Sequence, residues 1–403
     1  MSMRRITFAL AALVLCLSLA ARLSPQDRAK IPAAAQSQPP NHPRFAFGGN
    51  AAEIPATFIQ NLVFLPVTLN ESKPSLFALD TSARATSVDP GLAAEIGLAA
   101  NQRVALIVPG VLFPFASLPQ AARPDFAAQA GRTYDGTIGA DLLNSAVVDI
   151  DNARQTVRIF DPGIYKYAGH GKAFPLVLEG GMPVIHVRFD SPRGKVSEAD
   201  FGVNTSILAG IVLSESFAKA HHLVSSHNKG TQGYDPQMTG GESISLFRLR
   251  LFQIASWTAP DVVAEVSHSK LAGADNPKLA GIIGASLLSR FNLVLDYPHR
   301  QIIFEGNSHL HDYDEEDKSG ISVVAKGSNL KTFEIVNVAP HSPAADAGIK
   351  AGDIIAGIND EAAADIALAS VRNLFRQVGH SYNLLIQRGD QTKQVSIQMR
   401  RLL

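Results

Sequence analysis

Cysteine is almost missing from this chain: one residue, Cys16, in 403. It lies inside an apolar run from Ile6 to Leu19, so a chain cut after that run carries no thiol, which excludes disulfide bridges and cysteine nucleophiles. An excess of either charge is missing too. Lys plus Arg and Asp plus Glu both number 36, so composition supplies no basic face for a phosphate backbone and argues against nucleic acid as a partner. After the leader no further run of about 20 uncharged apolar residues occurs. There is no Gly-x-Ser-x-Gly nucleophile elbow, no phosphate-cradling glycine loop and no His-Glu-x-x-His pair, so neither cofactor nor metal is expected.

What is present begins with Arg4 and Arg5, then the apolar run, then Ser18-Leu19-Ala20. Residues 1–20 read as a secretory signal peptide cut after Ala20, which sends the mature chain to a periplasm or to the exterior. A membrane is involved only where that segment is retained as an anchor. Residues 21–57, with Pro39-Pro40 and Pro43 among Ala, Gln and Ser, read as a flexible tether. Short β-branched and aliphatic runs punctuated by Gly, Pro and Asn follow, which predicts mainly β structure.

An internal repeat fixes the organisation. Gly136-Thr137-Ile138-Gly139-Ala140-Asp141-Leu142-Leu143 returns as Gly281-Ile282-Ile283-Gly284-Ala285-Ser286-Leu287-Leu288, and each copy runs into an alternating strand-like segment ending at Asp151 or Asp296. Gly139 to Gly284 and Asp151 to Asp296 share one offset, 145 positions. Upstream lies a second matched pair, Leu79-Asp80-Thr81-Ser82 and Val203-Asn204-Thr205-Ser206, offset by 124 positions. The second copy therefore has a longer middle, and the extra length falls in the Gly-, Asn- and Ser-rich stretch Ser225 to Gly241, read as a hairpin. Arg248 and Arg250 fall in an alternating stretch and read as a solvated strand face.

Leu79-Asp80-Thr81-Ser82-Ala83 resembles the Asp-Thr-Gly-Ala turn of retropepsin-like and pepsin-like aspartic peptidases. Thr137-Ile138-Gly139 and Ile282-Ile283-Gly284 resemble the hydrophobic-hydrophobic-Gly motif that follows it in that family. The resemblance implies two tandem acid-protease β-barrel lobes with pseudo-twofold symmetry, at 58–170 and 171–306. In the family two such turns meet, and their acids share one proton to activate water. Asp80 with Thr81, and Asn204 with Thr205, take those positions here. Ser82 and Ser206 stand where the family has Gly, and Asn204 stands where it has the second Asp. An amide cannot ionise, so the expectation is a hydrogen bond from Asn204 to Asp80 and a peptidase that is inactive or impaired, holding extended polypeptide without cutting it. The alternative is an active aspartic-type endopeptidase working through Asp80.

Residues 307–319 turn acidic and read as a solvated linker, in which His309 and His311 lack the geometry of a metal site. From 320 to 403 the stretch Pro340-His341-Ser342-Pro343-Ala344-Ala345-Asp346-Ala347-Gly348, with Gly352-Asp353-Ile354-Ile355, resembles a PDZ domain of exported bacterial proteases, an α+β fold. Val371, Leu374, Phe375 and Val378 fall at the spacing of one buried helical face. The resemblance implies that a protein C-terminus adds as a strand beside Ile321 and Val323 and lies against the helix bearing Val371. Its carboxylate would rest on the N–H groups of Ser319, Gly320 and Ile321.

Overall fold

Alternation decides the strands. In Val104–Val108 and Val111–Phe115 every second side chain is buried, and Gly110, at φ +83°, supplies the left-handed residue of the turn between them. The computed structural model describes residues 42–115, 117–190, 196–223, 231–234, 243–267 and 278–403. The leader, most of the tether and most of Ser225 to Gly241 lie outside these. Among the described residues the strands form four sheets, two of eight strands and two of six.

Each eight-stranded sheet contains the same threefold arrangement. In the first, Ser75–Leu79 pairs in parallel with Gly136–Ile138, which pairs antiparallel with Ser87–Val88 on its other side. In the second, Val196–Val203 pairs in parallel with Gly281–Ile283, which pairs antiparallel with Ile211–Ser214. The residue after each outer parallel strand is the matched one: Asp80 donates its N–H to the Ile138 carbonyl at 3.0 Å, and Asn204 does the same to Ile283 at 2.9 Å. The motif glycines let the backbones close on one another. A Cβ on Gly139 would lie 2.6 Å from the Ala85 carbonyl oxygen, and one on Gly284 would lie 2.3 Å from that of Ala209. Any side chain there would force the turn-bearing loop away.

A six-stranded sheet is shared between the halves. Val147–Asp151 pairs antiparallel with Phe291–Asp296, Val148 opposite Leu295 and Ile150 opposite Leu293, so equivalent strands meet about the symmetry axis. Thr156–Phe160 and Ala51–Ile54 extend it on one flank, Gln301–Gly306 and Lys172–Pro175 on the other. One apolar core runs through both halves and this sheet.

Two expectations need correction. The tether does not reach residue 57: Arg44–Phe45 pairs with Val111–Phe115, and Ala51–Ile54 pairs with Thr156–Phe160, with Ile54 buried. Strands this short leave no period in the sequence and form because an open sheet edge supplies their partners. The acidic linker is solvated only in part: His309, His311, Asp312 and Glu315 are exposed. Asp314, Glu316 and Lys318 are buried. Arg248, read as a solvated face, pairs with Glu316, donates to the Asp314 carbonyl at 3.0 Å and stacks on Tyr313, while Arg290 faces Asp314 at 3.6 Å. These arginines are distant in sequence from the acids they neutralise, so the local charge run gave no sign of them.

The last sheet runs Ile321–Lys326, Thr332–Val338, Ile354–Ile358, Ser381–Arg388, Gln391–Gln398, and has its own apolar core. The helix Leu368–Phe375 places Val371 and Phe375 in that core, but it stops there and Val378 is exposed, because Gly379 turns the chain at φ +81°.

Candidate functional site

The two matched turns meet. Thr81 Oγ1 donates to the Val203 carbonyl at 2.7 Å, and Thr205 Oγ1 donates to the Leu79 carbonyl at 2.7 Å. Each hydroxyl also accepts the other threonine's backbone N–H, at 3.2 Å in both directions. All four groups are buried, so this interlock satisfies polar atoms that would otherwise be costly to enclose.

The serines that replace glycine serve their own turns in matching fashion. Ser82 donates its N–H and hydroxyl to Asp80 Oδ1 at 2.8 and 2.6 Å. Ser206 donates its N–H and hydroxyl to Asn204 Oδ1 at 2.8 and 2.9 Å. Asp80 and Asn204 are 2% and 4% exposed, so both acid-position side chains are enclosed at the junction.

The expected hydrogen bond from Asn204 to Asp80 is not formed. The amide oxygen serves its own turn, and the second oxygen of Asp80 is taken by a residue that sequence reasoning missed. Arg123 Nη1 donates to Asp80 Oδ2 at 2.6 Å. Arg123 immediately precedes the helix Pro124–Ala130, and its guanidinium also lies over the Phe126 ring at 5.2 Å. Phe126 meets Tyr134 edge-on at 4.9 Å, and burial pushes the Tyr134 phenol up to about 12, so it is neutral beside the ion pair. Arg123 stands 43 residues from Asp80 in no recognisable motif; a basic residue before a proline is not a signal.

The C-terminal candidates are arranged differently from expectation. The N–H groups of Ser319 and Gly320 donate to Asp317 Oδ1 at 2.9 and 2.7 Å, and that of Ile321 donates to Ser319 Oγ at 2.9 Å. The three donors expected to hold a peptide carboxylate thus already hold an internal carboxylate and a hydroxyl. Burial pushes Asp317 up to about 6, against the hydrogen bonds from Ser319 and Gly320. Ile321, Val323 and Val371 are buried in the domain core. What remains of the groove is the edge of the strand Ile321–Lys326 and the flank of the helix Leu368–Phe375, and the helix Pro124–Ala130 packs against that strand.

A family model described as PDZ domain matches residues 334–388, so the C-terminal part of this mainly β chain carries a PDZ domain. No curated protein matches the chain. Among solved structures, a photosystem II D1 C-terminal processing protease is similar at 21% identity over 22% of this chain, with a TM-score of 0.20. A retropepsin-like aspartic protease from Rickettsia conorii is similar at 15% identity over 35% of this chain and 96% of its own, with a TM-score of 0.25. This chain spans 23% of the length of the D1 processing protease.

Proposed function

We propose that this chain is an exported, two-lobed aspartic-peptidase-like protein whose PDZ domain and interlobe cleft hold extended polypeptide, and that it does not cleave that polypeptide at an appreciable rate. The observation that carries the reading is the pairing of one acid with one amide at two interlocked turns. Acid-protease hydrolysis needs one carboxylate to take a proton from water while its partner gives one to the scissile carbonyl. Asn204 can do neither. Asp80 Oδ2, the oxygen free of its own turn, is bonded to Arg123. Loss of one member of a cooperating pair removes most of the rate. Polypeptide binding draws on parts that the substitution leaves in place, namely sheet edges and the PDZ domain.

The test is hydrolysis and binding of an unfolded polypeptide from acid to neutral pH by the wild type, Asp80→Ala and Asn204→Asp. Binding without turnover in the wild type is expected, with slow turnover in Asn204→Asp at acid pH. Wild-type turnover that disappears in Asp80→Ala would show the protein to be a working peptidase. Absence of binding would remove the polypeptide reading.

A further inference from the structure

The helix Pro124–Ala130 has its two ends at two different places. At its start, Arg123 reaches Asp80. At its end, the Gln129 carbonyl accepts from Arg372 Nη1 at 2.7 Å, and Arg372 sits on the helix that forms one wall of the PDZ groove. The same guanidinium donates to the Val323 carbonyl on the groove strand at 2.9 Å and to Gln60 Oε1 at 2.6 Å. Gln60 in turn donates to the Ala130 carbonyl at 3.3 Å. Gly131, which ends the helix at φ +69°, lies so close to the groove helix that a Cβ built on it would stand 2.6 Å from that of Leu368. A cavity of about 230 Å³ is left between these parts, lined by Gln60, Gln129, Val323, Arg372 and Arg376 among others.

We propose that Pro124–Ala130 is a latch that covers the PDZ groove with one end and the Asp80 carboxylate with the other, so that a polypeptide strand entering the groove withdraws Arg123 from Asp80. The helix packs against the groove strand, and Gly131 at its end abuts Leu368 at the start of the groove helix, so a strand added beside Ile321–Lys326 meets it. An incoming strand must displace it. Seven helical residues span only about 10 Å, and a short helix moves as one piece, so a shift that clears Leu368 and Val323 moves Arg123 as well. The coupling is reciprocal: breaking the ion pair at Asp80 loosens the cover on the groove by the same factor as groove binding loosens the ion pair. This proposal rests on reading the groove and the interlobe cleft as polypeptide sites, and the test separates the two.

Two variants of the full chain cut one end each. Arg123→Met removes the guanidinium and keeps an unbranched stem against Phe126. Gln60→Asn shortens the side chain that ties Ala130 to Arg372, with a residue that tolerates the φ of +50° at that position. Amide hydrogen exchange of Ile321–Lys326 is read in the first, and the rate at which phenylglyoxal modifies Arg123, followed by mass spectrometry, in the second. Each rate is expected to rise about 5- to 150-fold, the usual range of coupling between sites. Exchange in the central strands Val147–Asp151 and Phe291–Asp296 is expected to stay unchanged. Should those strands loosen in one variant, the other decides. Unchanged groove exchange in folded Arg123→Met, or unchanged Arg123 reactivity in folded Gln60→Asn, overturns the latch. A pool of short random-sequence peptides with free C-termini, added to the wild type, should raise Arg123 reactivity as Gln60→Asn does. A pool that binds and leaves Arg123 protected also overturns the latch. A pool that binds none of the three proteins sinks the polypeptide reading, while the exchange and modification rates still decide the latch.

Discussion

Thr81 and Thr205 trade the same two bonds across the junction of the halves: each hydroxyl donates to a carbonyl of the opposite half and accepts the opposite threonine's N–H. The two threonines directly follow Asp80 and Asn204 in sequence, so whatever holds the threonines also fixes the backbone from which those two side chains leave. Chemical asymmetry is thereby set into a symmetric frame.

Thr205→Val keeps the shape and removes the hydroxyl, leaving the Leu79 carbonyl and the Thr81 N–H enclosed without their partner. A loss of about 1 to 3 kcal/mol is expected in urea or guanidinium unfolding. Thr205→Ser, which retains the hydroxyl, should recover most of it. Equal losses in the two variants would show that the methyl group and not the interlock carries the stability.

Asn204→Asp brings a second carboxylate up to Asp80. Two carboxylates held close repel and favour the protonated form, and a group whose folded-state pKa lies above the unfolded one gives stability that is full at low pH and lost as pH rises through the raised value. The melting temperature of Asn204→Asp should therefore fall further below that of the wild type between about pH 4 and pH 8, each tenfold gain in the pair's proton affinity on folding being worth about 1.4 kcal/mol. A difference that does not change with pH would mean that the two side chains do not feel each other.

Asp317 should make the PDZ domain less stable as pH rises. Its folded value of about 6 stands above the ordinary 3.8 because burial outweighs the hydrogen bonds from Ser319 and Gly320 and the charge of Arg376. Its contribution is complete below about pH 4 and is lost through about pH 6, a fall of up to about 3 kcal/mol. Asp317→Asn keeps an acceptor for the N–H groups of Ser319 and Gly320 and should abolish the fall, which makes it the more stable protein at about pH 8. Urea midpoints at the two ends of that range measure it.

Glu316→Ala should free the linker. It leaves Arg248 and the fully buried Lys318 short of a carboxylate, a change worth about 3 to 5 kcal/mol for an enclosed pair. Limited proteolysis should then cut within residues 307–319 before either flanking region is lost. Resistance equal to that of the wild type would show that the remaining contacts of Asp314 and Arg290 suffice.

The repeat made much of the frame readable. The paired glycines at 139 and 284 are held by backbone approach too close for a side chain, and the matched turns by hydrogen bonds that need Thr at both places, so each left a local mark in the chain. Arg123, Arg248 and Arg372 left none. Asp80, Glu316 and the Gln129 carbonyl lie 43, 68 and 243 residues from them, and a guanidinium shows its role only once folding has brought an acceptor to it. The self-filled donors at Ser319, Gly320 and Ile321 fall between: the residues are recognisable in the sequence, but nothing in an acidic run marks Asp317 as the acceptor of the first two or the Ser319 hydroxyl as that of the third.

The shared central sheet has a consequence for synthesis. Val147–Asp151 leaves the ribosome well before Phe291–Asp296, the strand that covers its edge, has been made. Until then the first half presents an unpaired edge bearing Val148 and Ile150, a template for pairing with any other nascent chain. A gene encoding the first half alone would produce a protein that must find a second copy of that edge or aggregate.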